Sequence, residues 1–270
     1  MTFTQDDVDR LAKELRNSPN DIEKWYRLGS GYLSLKQINN AEIAFKQCLK
    51  LEKDYPMALG GLGVVYLLKG KTKAAIKNLK RCLKSEPGHF EYWLSLGKAY
   101  LQLSKNEDAI EAFDHSLALN PDHYEAMISL ALAYNNQESW EDALETLRRA
   151  NTMFPRDYEI HKGLARSLLK LGRIKELEET YCVMRELDPD DHTILMYLGQ
   201  IAFKKGKAME GLTYYRKAVE MDPDSYMGWK ILSEALEKLG MSDEARIAHE
   251  KYKNIESRLR KSGTRLVGKI

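Results

Sequence analysis

The sequence is poor in the residues that mark most other classes of protein. It has 3 cysteines in 270 residues, Cys48, Cys82 and Cys182. Their number is odd, and no two lie close enough for a metal knuckle or a redox pair. Cys48 and Cys82 stand at equivalent places of a recurring pattern and are expected to face the core as unpaired thiols. Proline (7) and glycine (17) are too scarce for a disordered or low-complexity chain. No apolar run approaches the length that crosses a bilayer. The opening MTFTQDDVDR has neither a basic start nor an apolar stretch, so no secretory signal is expected and the cytoplasm is the expected location. The six histidines (His89, His115, His123, His161, His192 and His249) form no HExxH pattern or other compact ligand set. Gly60-Gly61-Leu62-Gly63 follows no strand, which excludes a dinucleotide loop. Neither a cofactor nor an enzymatic activity is expected.

Charge of one sign is also lacking, since the net formal charge is +2. Its placement is uneven. Residues 251–270 hold seven bases against one acid, Glu256, for +6, which leaves −4 on the body of the chain before them. Such a body is a poor general binder of nucleic acid. The basic end, Arg258 to Lys269, is a separate candidate: it is read as a solvated tail, with contact to RNA or an anionic membrane as the alternative function.

What the chain has is a period. Trp25, Leu59, Trp93, Met127, His161, Leu195 and Trp229 recur at one constant spacing, without insertion or deletion. Leu28, Leu62, Leu96, Leu130, Leu164, Leu198 and Leu232 follow three positions later. Within one unit, Trp93, Leu96, Gly97 and Tyr100 fall on one side of a first helix, and Ala109, Phe113, Ser116 and Leu117 on one side of a second. Pro87, Pro121, Pro155, Pro189 and Pro223 close successive units, because proline cannot continue the amide ladder. A small residue at Gly29, Gly63, Gly97, Ala131, Ala165, Gly199 and Ser233 lets the paired helix approach, opposite Ala41, Ala75, Ala109, Ala143, Leu177, Gly211 and Ala245. Gly70, Gly172, Gly206 and Gly240 suit the turn between paired helices. Residues 1–21 are expected to form an N-terminal capping helix begun by Thr4, residues 22–257 seven tandem repeats, and residues 258–270 the tail. His161, in place of a large core residue, is expected to be packed or hydrogen-bonded.

These residues resemble the tetratricopeptide repeat, whose pattern of Trp, Leu, Gly, Tyr, Ala, Phe and Pro is met in full by Trp93, Leu96, Gly97, Tyr100, Ala109, Phe113 and Pro121. The fifth unit departs most, with His161, Ala165, Leu168, Leu177 and Tyr181. The resemblance implies an all-α fold, a right-handed superhelical solenoid of helix-turn-helix repeats. It also implies a concave face, lined by the first helix of each pair, that binds peptides or protein segments. Residues one, five, eight and nine after the tryptophan position are then the candidates. In the first four units they include Tyr26, Leu33, Val64, Leu67, Leu94, Lys98, Leu101, Ile128, Leu132 and Asn135. Later they become Lys162, Arg166, Gln200 and Lys204, with Lys170, Phe203, Lys230 and Lys238 beside them and Glu234 and Glu237 opposing. The wall thus turns from apolar to basic. The expected partner is a protein or peptide with apolar and acidic residues. A neighbouring copy is an alternative occupant, and no specific nucleic acid or membrane partner is expected. Some family members hold a chaperone's carboxylate tail through lysines and asparagines; here Tyr26, Ser30, Gly60 and Val64 stand at those positions, and that geometry is not expected.

Overall fold

The computed structural model describes residues 3–261, and every regular element among them is an α-helix. The array divides into two compact units, Met1–Met153 and Phe154–Ile270. The division falls just before the fifth repeat, where the repeat pattern is weakest.

In the first unit, α1 (Gln5–Asn17) precedes four pairs: α2 (Ile22–Ser34) with α3 (Ile38–Leu51), α4 (Pro56–Leu68) with α5 (Thr72–Ser85), α6 (Phe90–Gln102) with α7 (Asn106–Leu119), and α8 (Tyr124–Asn136) with α9 (Trp140–Met153). Helix α1 begins as expected. The Thr4 hydroxyl accepts from the Asp7 amide and the Asp7 carboxylate accepts from the Thr4 amide, a reciprocal capping box. Val8, Leu11 and Leu15 bury against Leu28 and Ala44, so α1 stands where a preceding second helix would. The first repeat has Lys53 at the usual proline position. Proline instead appears as Pro56 in the first turn of α4, where its missing amide costs no helical bond.

The second unit contains α10 (Tyr158–Lys170) with α11 (Ile174–Leu187), α12 (His192–Lys204) with α13 (Ala208–Met221), and α14 (Tyr226–Lys238) with α15 (Ser242–Lys261). Its core joins Leu195, Leu212, Tyr215, Val219, Leu232 and Leu236. Helix α15 runs on through Arg258 to Lys261, held by ion pairs from Arg258 to Asp224 (2.7 Å) and from Arg260 to Glu256 (2.7 Å). The described part of the basic segment is therefore helix. Its continuation to Lys269 lies outside the described residues.

The small positions do the packing assigned to them: a methyl on Gly211 would come within 2.9 Å of the Gly199 carbonyl and one on Gly63 within 3.3 Å of the Ala75 carbonyl, while the nearest contact of each glycine at the small first-helix position is a larger residue of the second helix. A methyl on Gly29 would come within 2.6 Å of the Phe45 ring, on Gly63 within 2.6 Å of Leu79, and on Gly97 within 2.5 Å of Phe113. The large residue of the second helix fills the space, while Ala41, Ala75 and Ala109 lie fully buried alongside. Gly60 and Gly61 have the same explanation: Tyr92 closes over Gly60 and Phe45 over Gly61.

Three tryptophans make one repeated bond. Trp25, Trp93 and Trp229 each donate the indole Nε1–H to the carbonyl of the proline six positions earlier, at 2.8, 2.8 and 2.9 Å. His161 Nε2 makes the same bond to Pro155 O at 2.9 Å. A carbonyl only accepts, so Nε2 carries the proton. The imidazole thus takes the place of an indole, buried and hydrogen-bonded as expected. The thiols also match expectation. Cys48 and Cys82 are buried, and burial pushes them up to about 12 and about 11, far from a reactive thiolate.

The turn within each pair takes a left-handed residue. Gly70, Gly172, Gly206 and Gly240 have φ of 68–75°, and Lys36, Ser104 and Glu138 occupy the equivalent place at 57°, 56° and 62°. The Lys71 amide donates to Tyr66 O and the Gly70 amide to Leu67 O, and the first repeat does the same through Gln37 and Lys36. A side chain in this region costs about 1 kcal/mol. Ser104→Gly and Glu138→Gly should each stabilise the protein by about 0.5–1 kcal/mol in urea unfolding, whereas Gly172→Ala should destabilise it by a similar amount.

Candidate binding surfaces

In the first unit the first helices lie side by side, α2 against α4, α4 against α6 and α6 against α8. They form one wall. Leu33, Val64, Leu67, Leu101 and Ile128 are half-buried on it, and Leu132 is 43% exposed. Tyr26 packs between Phe45 and Tyr55, with ring centroids 6.1 Å from each. Two candidates are corrected. Leu94 and Asn135 are each only 6% exposed, because the close packing of α4, α6 and α8 leaves no open surface at those places. Lys98 is also not an unpaired cation: its ammonium lies 2.6 Å from the Glu125 carboxylate, an ion pair that ties α6 to α8.

In the second unit Gln200 and Lys204 line one pocket, and Lys162 and Arg166 lie outside it. A cavity of 280 Å³ is lined by Gln200, Phe203 and Lys204 of α12, Tyr215 of α13, and Ile231, Glu234, Ala235 and Lys238 of α14. Its floor is aromatic, with Phe203 and Tyr215 stacked at 5.4 Å and 11°. Lys204 and Lys238 are the last residues of their helices, at equivalent places in successive repeats, and neither has an ion pair among the described residues. Cations are favoured at helix C-termini, so both charges can stay in place without an acid partner. Gln200 supplies an amide, and Glu234 is the opposing charge. The cavity volume suits one side chain or one chain terminus. Gln200, Phe203, Lys204, Glu234 and Lys238 are legible from their place in the repeat, whereas Ile231 and Tyr215 join the floor through the packing of α13 and α14. Lys162 and Arg166 of α10 are exposed, and Lys162 lies 3.2 Å from Glu159 one turn earlier.

Among the described residues, no group of three or more His, Cys, Asp or Glu could hold a metal ion, and no helix is long and apolar enough to cross a membrane. Residues 55–260 match the family described as the cilia and flagella-associated protein 70 C-terminal domain, and residues 23–55 match the tetratricopeptide repeat. The chain belongs to this tetratricopeptide-repeat family. No curated protein matches it in sequence. Among solved structures, a tetratricopeptide repeat protein from Parabacteroides merdae is 17% identical, over 85% of this chain and 91% of that one, with a TM-score of 0.53. PilF of Pseudomonas aeruginosa is 16% identical over 79% and 97%, with a TM-score of 0.60. MamA of Desulfovibrio magneticus is 20% identical over 63% and 96%, with a TM-score of 0.56. These likenesses show the shared fold. The tetratricopeptide-repeat chain is an all-helical scaffold of the kind that takes a protein or peptide partner.

Proposed function

We propose that this tetratricopeptide-repeat protein is a non-enzymatic scaffold whose second unit holds an acidic segment of a partner protein. The pocket between α12 and α14 carries the reading. Two lysines without an ion pair among the described residues stand over an aromatic floor, so a carboxylate would sit between Lys204 and Lys238 while a neighbouring apolar side chain rests on Phe203 and Ile231. Lys162 and Arg166 would add attraction along α10. The apolar wall of the first unit, with Leu33, Val64, Leu67, Leu101, Ile128 and Leu132, would hold apolar side chains. Apolar burial supplies most of the affinity in such a contact, and the charges supply register and rate. The rigid helices leave most of the ordering cost to the partner. Two buried, unpaired thiols support a cytoplasmic setting, and the family's named association with cilia and flagella supports a large protein assembly as the context.

Fluorescence anisotropy with labelled peptides tests this. The native chain should bind peptides ending in an apolar residue and an acidic residue, and amidation of the terminus together with Glu→Gln exchange should weaken binding. Lys204→Glu with Lys238→Glu should lower affinity by about tenfold or more, and Lys162→Glu with Arg166→Glu by a smaller factor. Equal affinity in the native chain and the Lys204/Lys238 variant, with helix content unchanged, would overturn the assignment.

A further inference from the structure

The second helices of the first unit carry a charge pattern that the peptide-binding reading does not use. Residues 69–84 hold seven bases (Lys69, Lys71, Lys73, Lys77, Lys80, Arg81 and Lys84) and no acid. Of these, Lys73, Lys77, Lys80 and Lys84 fall at i, i+4, i+7 and i+11 of α5, which makes one stripe along the helix. All four are exposed, and none has an ion pair among the described residues. Helix α7 reverses the sign in the same register. Glu107, Glu111 and Asp114 stand one repeat after Lys73, Lys77 and Lys80, and all three are exposed.

The two stripes face one surface. A cleft of 260 Å³ lies between them, with Lys80 and Lys84 of α5 on one wall, Asp108 and Glu111 of α7 on the other, and Trp93, Leu96 and Tyr100 below. No ion pair among the described residues crosses it. On its far side α7 borders a second cleft of 620 Å³, where Glu107, Glu111 and Asp114 are joined by Asp142 of α9 and no lysine or arginine lines the wall. A long polyanion drawn to α5 would therefore meet repulsion one helix away. A surface that carries the same two stripes in reversed order satisfies both.

We propose that this face binds a second copy of the chain. The two-fold axis would run parallel to the helices, midway between α5 and α7. That rotation lays α5 of each copy over α7 of the other and keeps the register, so Lys73, Lys77 and Lys80 meet the partner copy's acids at the positions of Glu107, Glu111 and Asp114. The interface is isologous: each contact occurs twice. The two helices of 14 residues that cover each other, α5 and α7, each about 21 Å long and about 10 Å across, present roughly 400 Å² per copy, about half of the ~800 Å² of a standard interface, so the matched charges carry the association and it is weak and salt-sensitive.

Sedimentation equilibrium of the full chain tests this. The native protein should dimerise at low salt. Its dissociation constant should rise by about tenfold or more between roughly 50 and 500 mM NaCl, as the screening length falls to about 4 Å. Lys73→Glu/Lys77→Glu/Lys80→Glu should be monomeric, and so should Glu107→Lys/Glu111→Lys/Asp114→Lys. Mixed together, these two variants should form a heterodimer, because each now carries two stripes of one sign. Circular dichroism would verify that both stay helical. A native monomer at about 100 µM in low salt would overturn the proposal, as would a mixture that stays monomeric. Capture of single-stranded RNA or anionic vesicles through α5 without self-association would likewise overturn it.

Discussion

Phe45→Ala is expected to destabilise the first unit by about 3–5 kcal/mol, and Gly61→Ala by about 1–3 kcal/mol, yet the pair together should cost less than the two added. The phenyl ring of Phe45 is fully buried. It sits against two glycines of different repeats. A methyl on Gly29 would approach its Cε1 to 2.6 Å, and one on Gly61 would approach its Cζ to 2.5 Å. Removing the ring leaves a void whose lining cannot collapse onto helices that other contacts hold apart. Adding a methyl at Gly61 with the ring in place forces the ring out of its rotamer. With the ring gone, that methyl fills part of the void. The expected coupling is therefore favourable, about 1 kcal/mol or more, measurable by urea unfolding with the tryptophans as probes. Additivity within about 0.3–0.5 kcal/mol would show that the ring and Gly61 do not compete for space.

That contact also marks where the sequence is legible. The constant recurrence specifies every helix pair, the role of the small position and the buried histidine, since each depends on local spacing. It does not identify the neighbour of each glycine. Spacing pairs Gly29 with Ala41, but the second helix fills the space with Phe45, a matter of side-chain reach. Spacing leaves Gly60 and Gly61 unexplained because their partners, Tyr92 and Phe45, come from neighbouring repeats. The glycine turns are legible at four places, yet Lys36, Ser104 and Glu138 take the same left-handed conformation without the residue that announces it. Among the candidate residues, burial separates Leu94 and Asn135 from the rest, and an ion pair occupies Lys98. Neither follows from register alone, since both depend on how closely neighbouring first helices approach. The α5 stripe is visible in the sequence, but a net charge taken over the whole body of the chain averages it against the acids of α7.

Glu42→Gln should cost about 2 kcal/mol at pH 7, and the loss should fade in acid. Glu42 of α3 is 9% exposed and joins two repeats. Its carboxylate accepts from Lys46 Nζ at 2.6 Å on its own helix and from Lys69 Nζ at 2.5 Å at the end of α4, and Lys69 also reaches Asn39 at 2.8 Å. The hydrogen bond from Lys46, followed by that from Lys69, holds the carboxyl at about 2 against its usual 4.5. A folded-state value below the unfolded one means the ionised form is favoured by folding. That stability is fully present above about pH 4.5 and is lost as pH falls through about 2. A shift of this size corresponds to roughly 3 kcal/mol at most, and solvent around the half-exposed Lys46 reduces it. The glutamine variant keeps the shape and removes the charge, leaving two lysines with a neutral acceptor. Its Tm should lie several degrees below that of the native chain at pH 7, with about half of the gap remaining near pH 3 and almost none below pH 2. A gap of constant size from pH 7 to pH 3 would mean that side-chain shape, not the carboxylate charge, supplies what Glu42 contributes to the joint between α3 and α4.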